Sequence, residues 1–399
     1  MIKTFKSSLG LLFIALGSCL FIQNQNLLFA QAKAPVIIDN PETPKYSGKY
    51  APELVFKKEL SIPLDGFLYS FDVDDTGNIY LLDILERSVS VYNSDGKNIN
   101  KFGKKGQGPG EFEIPRCLVV SKRKIYVLDP PKKTILVFDT KGALLDQQRL
   151  SSTGVLYNMR FDSAESLYIQ DMSSTIRLKD EKRLKRGVIG ISRLSKFNGR
   201  FEKIGDIDTW DFSFNNRSPS GEVFGILYHD IFYYQIGGDN CLYFGNSSRY
   251  EIHQMTPEGR IKKIIRKKGK QIPTAAKDWT NILEDNPDLK EARDVLKMAE
   301  IKPFFAEFHV IDNVGLVVGT YEDEWNDQGF FICNLFSQDG AYIANVKVPR
   351  YHQWNQHGTY SEQRNRLFKN GRCYSLVYNE KDEALELVRH SVELKWPRP

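Results

Sequence analysis

Between Arg350 and Tyr360, the rings of Tyr351, His352, Trp354, His357 and Tyr360 alternate with Gln353, Asn355 and Gln356. Aromatic planes beside amide donors and acceptors suit sugars and peptides, which present apolar faces and polar edges together. Trp325, in a second long segment of the same repeat, adds another plane. The plainer alternative is that these rings pack the loop onto its own scaffold, because amphipathic rings settle readily at half-wet positions. A second constellation is ionic. Arg116 and Arg364 offer forks that match carboxylate or phosphate, and Tyr69, Tyr157 and Glu307 fall at comparable repeat positions. The same arginines can pair with Glu307 or simply face water.

Motifs for covalent or metal chemistry are missing. The chain has no Gly-x-Ser-x-Gly elbow and no His-Glu-x-x-His pair. The glycine-rich stretch from Gly103 to Gly110 lacks the Lys-Ser/Thr ending of a phosphate cradle and follows a strand instead of opening a helix, so it reads as a link. His229, His253, His309, His352, His357 and His390 occupy dissimilar repeat positions, whereas metal ligands around an axis should come from comparable ones. Only His309 lies well inside an inner strand, where a lone histidine is usually structural. No catalytic residue, metal ligand or cofactor is therefore expected. Cys117, Cys241, Cys333 and Cys373 lie inside strands without CxxC spacing and read as isolated buried thiols.

These residues hang on a phrase that occurs six times: Asn78 to Asp83, Lys124 to Asp129, Ser166 to Asp171, Cys241 to Asn246, Gly315 to Thr320 and Arg372 to Val377. A second strand and a tight turn follow most copies, as in Ser88 to Tyr92 before Ser94-Asp95-Gly96. With one strand before the phrase and one after the turn, each unit has four antiparallel strands, A to D. Such an array predicts an all-β fold, a six-bladed β-propeller of four-stranded blades. The last copy supplies strand C from Leu385 to His390 but no strand D, and the unassigned strand Leu54 to Leu60 is expected to complete it and close the ring. The propeller is expected over 53–399, after a linker over 33–52. A helical insertion of two short helices divided by Pro287 is expected at about 273–301, between blades four and five.

Strand order puts the A to B and C to D turns on one face and the B to C and D to A links on the other. The long excursions all belong to the second: Phe102 to Ile114, Asp171 to Gly187, Ile204 to Leu227, Arg266 to Lys302, Thr320 to Gly329 and Arg350 to Gln363. Long loops on a rigid scaffold are where binding residues gather.

The first 32 residues read as an export signal, with Lys3 and Lys6 ahead of an apolar run from Leu9 to Ile22. Ala30-Gln31-Ala32 has the form of an ordinary cleavage site, and Leu16-Gly17-Ser18-Cys19 that of a lipobox with Cys19 lipidated; both remain open. Losing Lys3 and Lys6 lowers the formal net charge of +5 by two. The basic runs at Lys122 to Lys124, Lys132-Lys133 and Arg260 to Lys270 are then solvated patches on a nearly neutral protein, and no nucleic-acid partner is expected.

The run Gly77-Asn78-Ile79-Tyr80 through Asp83, Val89 to Val91, Asp95-Gly96, Phe102-Gly103-Lys104-Lys105-Gly106-Gln107-Gly108-Pro109-Gly110-Glu111-Phe112 and Pro115 resembles an NHL repeat. The layout is similar to exported six-bladed NHL-like propellers of bacteria. That resemblance implies a fold and a binding surface and no particular reaction. The expected function is a noncatalytic, exported scaffold that recognises a glycan, peptide or protein partner at the cell envelope, periplasmic or extracellular. Membrane contact is expected only through a lipid at Cys19. The alternative is a metal-dependent hydrolase or lyase with its site in the axial channel.

Overall fold

Strands buried on both faces read as unbroken apolar runs, and the phrase Ile79-Tyr80-Leu81-Leu82 shows why. Successive side chains point to opposite faces. Ile79 and Leu81 enter a cluster shared with the last sheet of the chain, while Tyr80 and Leu82 enter one shared with the next sheet. Ile125 and Val127 likewise face back while Tyr126 and Leu128 face forward. Each sheet thus covers its two neighbours.

The computed structural model describes residues 34–65, 69–152, 154–173, 188–217, 223–285, 296–322, 329–349, 366–379 and 384–398. Two strands come first, β1 (Val36–Asn40) and β2 (Glu53–Leu64). Blade one is β3 (Tyr69–Val73), β4 (Ile79–Asp83), β5 (Ser88–Tyr92) and β6 (Asn98–Phe102). Blade two is β7 (Cys117–Ser121), β8 (Lys124–Asp129), β9 (Thr134–Asp139) and β10 (Leu144–Arg149). Blade three is β11 (Val155–Phe161), β12 (Leu167–Ser173), β13 (Val188–Phe197) and β14 (Lys203–Arg217), extended by β15 (Val223–Leu227). Blade four is β16 (Phe232–Ile236), β17 (Leu242–Asn246), β18 (Glu251–Met255) and β19 (Ile261–Lys267). The helix α1 (Ala276–Asp285) and strand β20 (Leu296–Met298) precede blade five, which is β21 (Glu307–Ile311), β22 (Gly315–Gly319), β23 (Phe330–Phe336) and β24 (Tyr342–Pro349). β25 (Arg366–Lys369), β26 (Arg372–Asn379) and β27 (Ala384–Lys395) form the sixth sheet, in which β2 lies beside β27 with Ile62 opposite Leu387.

Buried clusters occupy every junction between consecutive blades, including that between blades six and one, where Ile62 and Leu387 meet Phe71 and Val73. Burying one such large apolar side chain stabilises by about 1.5–3 kcal/mol. The outermost strands β6 and β10 are mostly exposed.

The repeated Tyr serves the turns as well as the core. Asp74 accepts backbone N–H bonds from Thr76 and Asn78 and the Tyr80 hydroxyl at 3.0 Å. Asp162 does the same with Ala164, Ser166 and the Tyr168 hydroxyl at 3.1 Å, and Asp239 with Cys241 and the Tyr243 hydroxyl at 3.0 Å. A carboxylate that satisfies the turn's amides and the strand's phenol makes the A to B turns short and stiff.

Several expectations change. The presumed linker over 33–52 contains β1, which runs parallel to β19 on the outer edge of blade four. Its Asn40 is buried and bridges two blades, donating to Arg266 O at 3.0 Å and Gly340 O at 2.9 Å and accepting from Tyr342 N at 2.8 Å. The excursion Ile204 to Leu227 is largely strand, because β14 continues as a long partner of β13 and turns back into β15. Of the two helices expected over 273–301, α1 is present, but Leu296 to Met298 pair with β15 as strand β20. Pro287 lies outside the described residues. The glycine-rich link is a compact loop that drives Phe112 into the core between blades one and two, with Glu111 accepting the Gly108 N–H at 2.9 Å and pairing with Lys104 at 3.1 Å.

Cys117, Cys241, Cys333 and Cys373 are all free and buried. Burial, with the Asp239 charge second, pushes the Cys241 thiol up to about 11, and burial pushes Cys373 up to about 11. Only thiolate attacks disulfide reagents. Native protein is therefore expected to react negligibly with Ellman's reagent at pH 8, and denatured protein to release these thiols; rapid native labelling would contradict the packing.

Candidate binding face and axial cavity

The inner strands are sheet edges, so their N–H groups must find partners outside their own blade. Ser70 Oγ accepts the Leu118 N–H at 3.0 Å and Asp72 Oδ2 the Val120 N–H at 2.8 Å, stitching blade one to blade two. Gln235 Oε1 accepts the Val310 N–H at 3.1 Å and stitches blade four to blade five.

Opposite the repeated Tyr or Val of strand B, the inner strands carry Asp72, Val119, Arg160, Gln235, His309 and Leu367. The core position repeats; the axial one does not. These residues line a cavity of about 310 Å³ bounded by β3, β7, β11, β16, β21 and β25. Two ion pairs join neighbouring blades across its wall. Lys369 Nζ lies 3.2 Å from Asp72 Oδ1, and Arg366 Nη1 lies 3.1 Å from Glu307 Oε1. His309 Nε2 is 3.1 Å from Glu307 Oε2, and the His309 ring packs on Phe368 with centroids 4.9 Å apart.

Burial alone pushes the Glu307 carboxyl up, but the charges of His309 and Arg366 outweigh it and hold the group down at about 2. A carboxyl lowered on folding stabilises the native state above its ordinary value of 4.5, and that contribution is lost as pH falls from there toward 2. Glu307→Gln is thus expected to lower stability at pH 7 and to flatten its pH dependence between those values, as read by urea unfolding across a pH series. Parallel curves for variant and wild type would refute the coupling.

Of the ionic residues singled out in the sequence, Glu307 lines this cavity. Its partner is Arg366, two positions beyond the expected Arg364, which lies outside the described residues. The Arg116 guanidinium stacks over the Tyr157 ring at 5.2 Å, and neither residue lines the cavity. Tyr69 opens β3 opposite Asp83. Trp325, Tyr351, His352, Trp354, His357 and Tyr360 lie outside the described residues. Sequence reasoning missed Asp72, Gln235, Asp312, Arg366 and Lys369. The signal that finds three of them is the row opposite the repeated Tyr, which holds Asp72 and Gln235, and the turn after it, which holds Asp312. Among the described residues no three His, Cys, Asp or Glu side chains converge as a metal site, and no helix is long and apolar enough to cross a membrane.

Exposed large apolar side chains stand both in the links and on the outer strands. Leu85 at 60%, Ile114 at 46%, Val155 at 50% and Ile301 at 47% exposure all stand in or beside B to C or D to A links. Ile99, Leu144 and Ile204, also exposed, stand beside C to D turns on the outer strands of blades one, two and three.

Residues 71–260 match the family described as a 6-bladed beta-propeller. No curated protein matches the chain. A solved member of the duf4221 family from Bacteroides vulgatus is similar at 12% identity with a TM-score of 0.51, covering 88% of this chain and 100% of that one. A candidate exported protein from Bacteroides fragilis follows at 14% identity and a TM-score of 0.46, covering 90% of this chain and 100% of that one. Virginiamycin B lyase from Staphylococcus aureus matches at 11% identity and a TM-score of 0.41, covering 84% of this chain and 99% of that one. At such identities likeness speaks for fold alone. With six sheets around one cavity, the chain is an all-β, six-bladed propeller of four-stranded antiparallel blades.

Proposed function

We propose that this protein is an exported, noncatalytic binding propeller whose B to C and D to A links form the surface that recognises a peptide, protein or glycan partner at the cell envelope. The observation that carries this reading is the exposure of Leu85, Ile114, Val155 and Ile301 in or beside those links. Apolar side chains gathered in the links of one face offer a partner contact area that is already exposed. Trp325, Tyr351, His352, Trp354 and His357 belong to links of the same face and are proposed to contribute rings to it. Export rests on the leader ahead of Ala32, with processing there or at Cys19. In the same reading β2 is the clasp of the ring, supported by its long antiparallel pairing with β27.

The test compares wild type with Ile114→Asp and Ile301→Asp in pull-downs from envelope extract and on a glycan array. Both positions are exposed, so folding should survive. Species held by wild type and lost by both variants support the face; equal retention by all three proteins overturns it.

A further inference from the structure

The geometry points to a second, separate site: the end of the axial cavity beside the A to B turns takes an uncharged, hydroxyl-rich ligand of monosaccharide to disaccharide size. It lies at the end opposite the binding face proposed above and does not depend on that face. The argument starts from charge. Among the described residues, the lining holds three carboxylates (Asp72, Asp312, Glu307) and three permanent cations (Arg160, Arg366, Lys369). Most are engaged within the wall. Lys369 pairs with Asp72, Arg366 with Glu307, and Arg160 Nη1 donates to Asn158 Oδ1 and Met159 O, each at 2.8 Å. A ligand with net charge would meet no surplus of the opposite sign and would lose its hydration on entering.

The remaining hydrogen-bonding capacity is concentrated at one end. Asp312 follows β21 and Asn370 follows β25, and among the described residues neither side chain has a hydrogen-bonding or ionic partner. Gln235 accepts from Val310 through Oε1, which leaves its amide N–H groups to donate. Gly237 and Gly238 complete the rim with bare backbone. A Cβ on Gly238 would stand 2.0 Å from Asp312 Oδ1, so this glycine keeps the carboxylate seated against the turn. A carboxylate that accepts, amides that do both and a Lys369 ammonium with donors to spare match a set of neighbouring hydroxyls, each of which is donor and acceptor at once. The volume of about 310 Å³ sits at the lower end for small-molecule pockets, which favours one or two sugar rings over a longer chain.

The experiment is calorimetric titration of the full protein with maltose, N-acetylglucosamine, glucuronate and lysine. At least one neutral sugar is expected to bind more tightly than glucuronate and lysine. Asp312→Ala and Asn370→Ala, both at turns, should each weaken that binding about tenfold, the loss of a ligand hydrogen bond. Leu145→Asp on the outer strand of blade two should not. Preference for glucuronate or lysine, absence of binding by both neutral sugars, or undiminished binding by both turn variants overturns the assignment.

Discussion

Lys302→Ala is expected to lower the unfolding free energy by about 3–5 kcal/mol, as removal of one partner from a buried ion pair does. Lys302 Nζ sits 2.9 Å from Asp278 Oδ1, with side-chain exposures of only 4% and 2%. The ammonium also lies over the rings of Tyr228 at 4.7 Å and Tyr321 at 5.9 Å. Asp278 is engaged a second time, because its Oδ2 accepts the Ala275 N–H at 2.7 Å ahead of the first turn of α1. The pair therefore ties the helix, the link into blade five and the small core of Leu227, Ile282 and Leu296 into one unit. Truncating Lys302 removes its ammonium from a buried carboxylate. Replacing both partners, Lys302→Met with Asp278→Leu, should restore much of the loss, since two apolar groups leave no stranded charge. Urea unfolding of the single and double variants measures this. A single-variant loss under about 1 kcal/mol would show that the pair is solvated.

Ile62→Asp is expected to cost more than about 4 kcal/mol or to prevent folding, because it buries an unpaired charge. Ile62 is 4% exposed, faces Leu387 across the β2 and β27 pairing, and contributes to the cluster between blades six and one. Blades one to five each draw strands A to D from one stretch of chain, whereas in the sixth sheet β2 and β27 come from opposite ends of the described residues and meet only by pairing. Ile99→Asp, on the exposed outer strand of blade one, should stay within about 0.5 kcal/mol of wild type. Equal stability of the two variants would mean that β2 does not hold the seam.

What could be read from the chain follows from period. Tyr80, Tyr126, Tyr168, Tyr243 and Tyr374 recur because each fills the same position between neighbouring blades, and their repetition announces both strand and blade. The axial residues have no such signature. Glu307 could be placed because its strand is anchored by the phrase after it, whereas Arg364 stood in for Arg366 across a gap of two positions. A shift of that size keeps the side-chain parity but changes which residue starts the strand. Arg116 and Tyr157, aligned to the same mouth, stack on each other instead, because neighbouring blades bring them together beside the cavity.

The sequence by itself determined the all-β class, the number of blades and the alternation that packs each blade against the next. These are nearest-neighbour properties, written again in every copy. Tertiary structure alone decided how Lys302 found Asp278, how Asn40 joined blades four and five, and which charges pair between neighbouring blades on the cavity wall. Those contacts join residues from different copies or from outside the repeat, so no local pattern encodes them; only closing the ring sets the distances at which their charges and hydrogen bonds act.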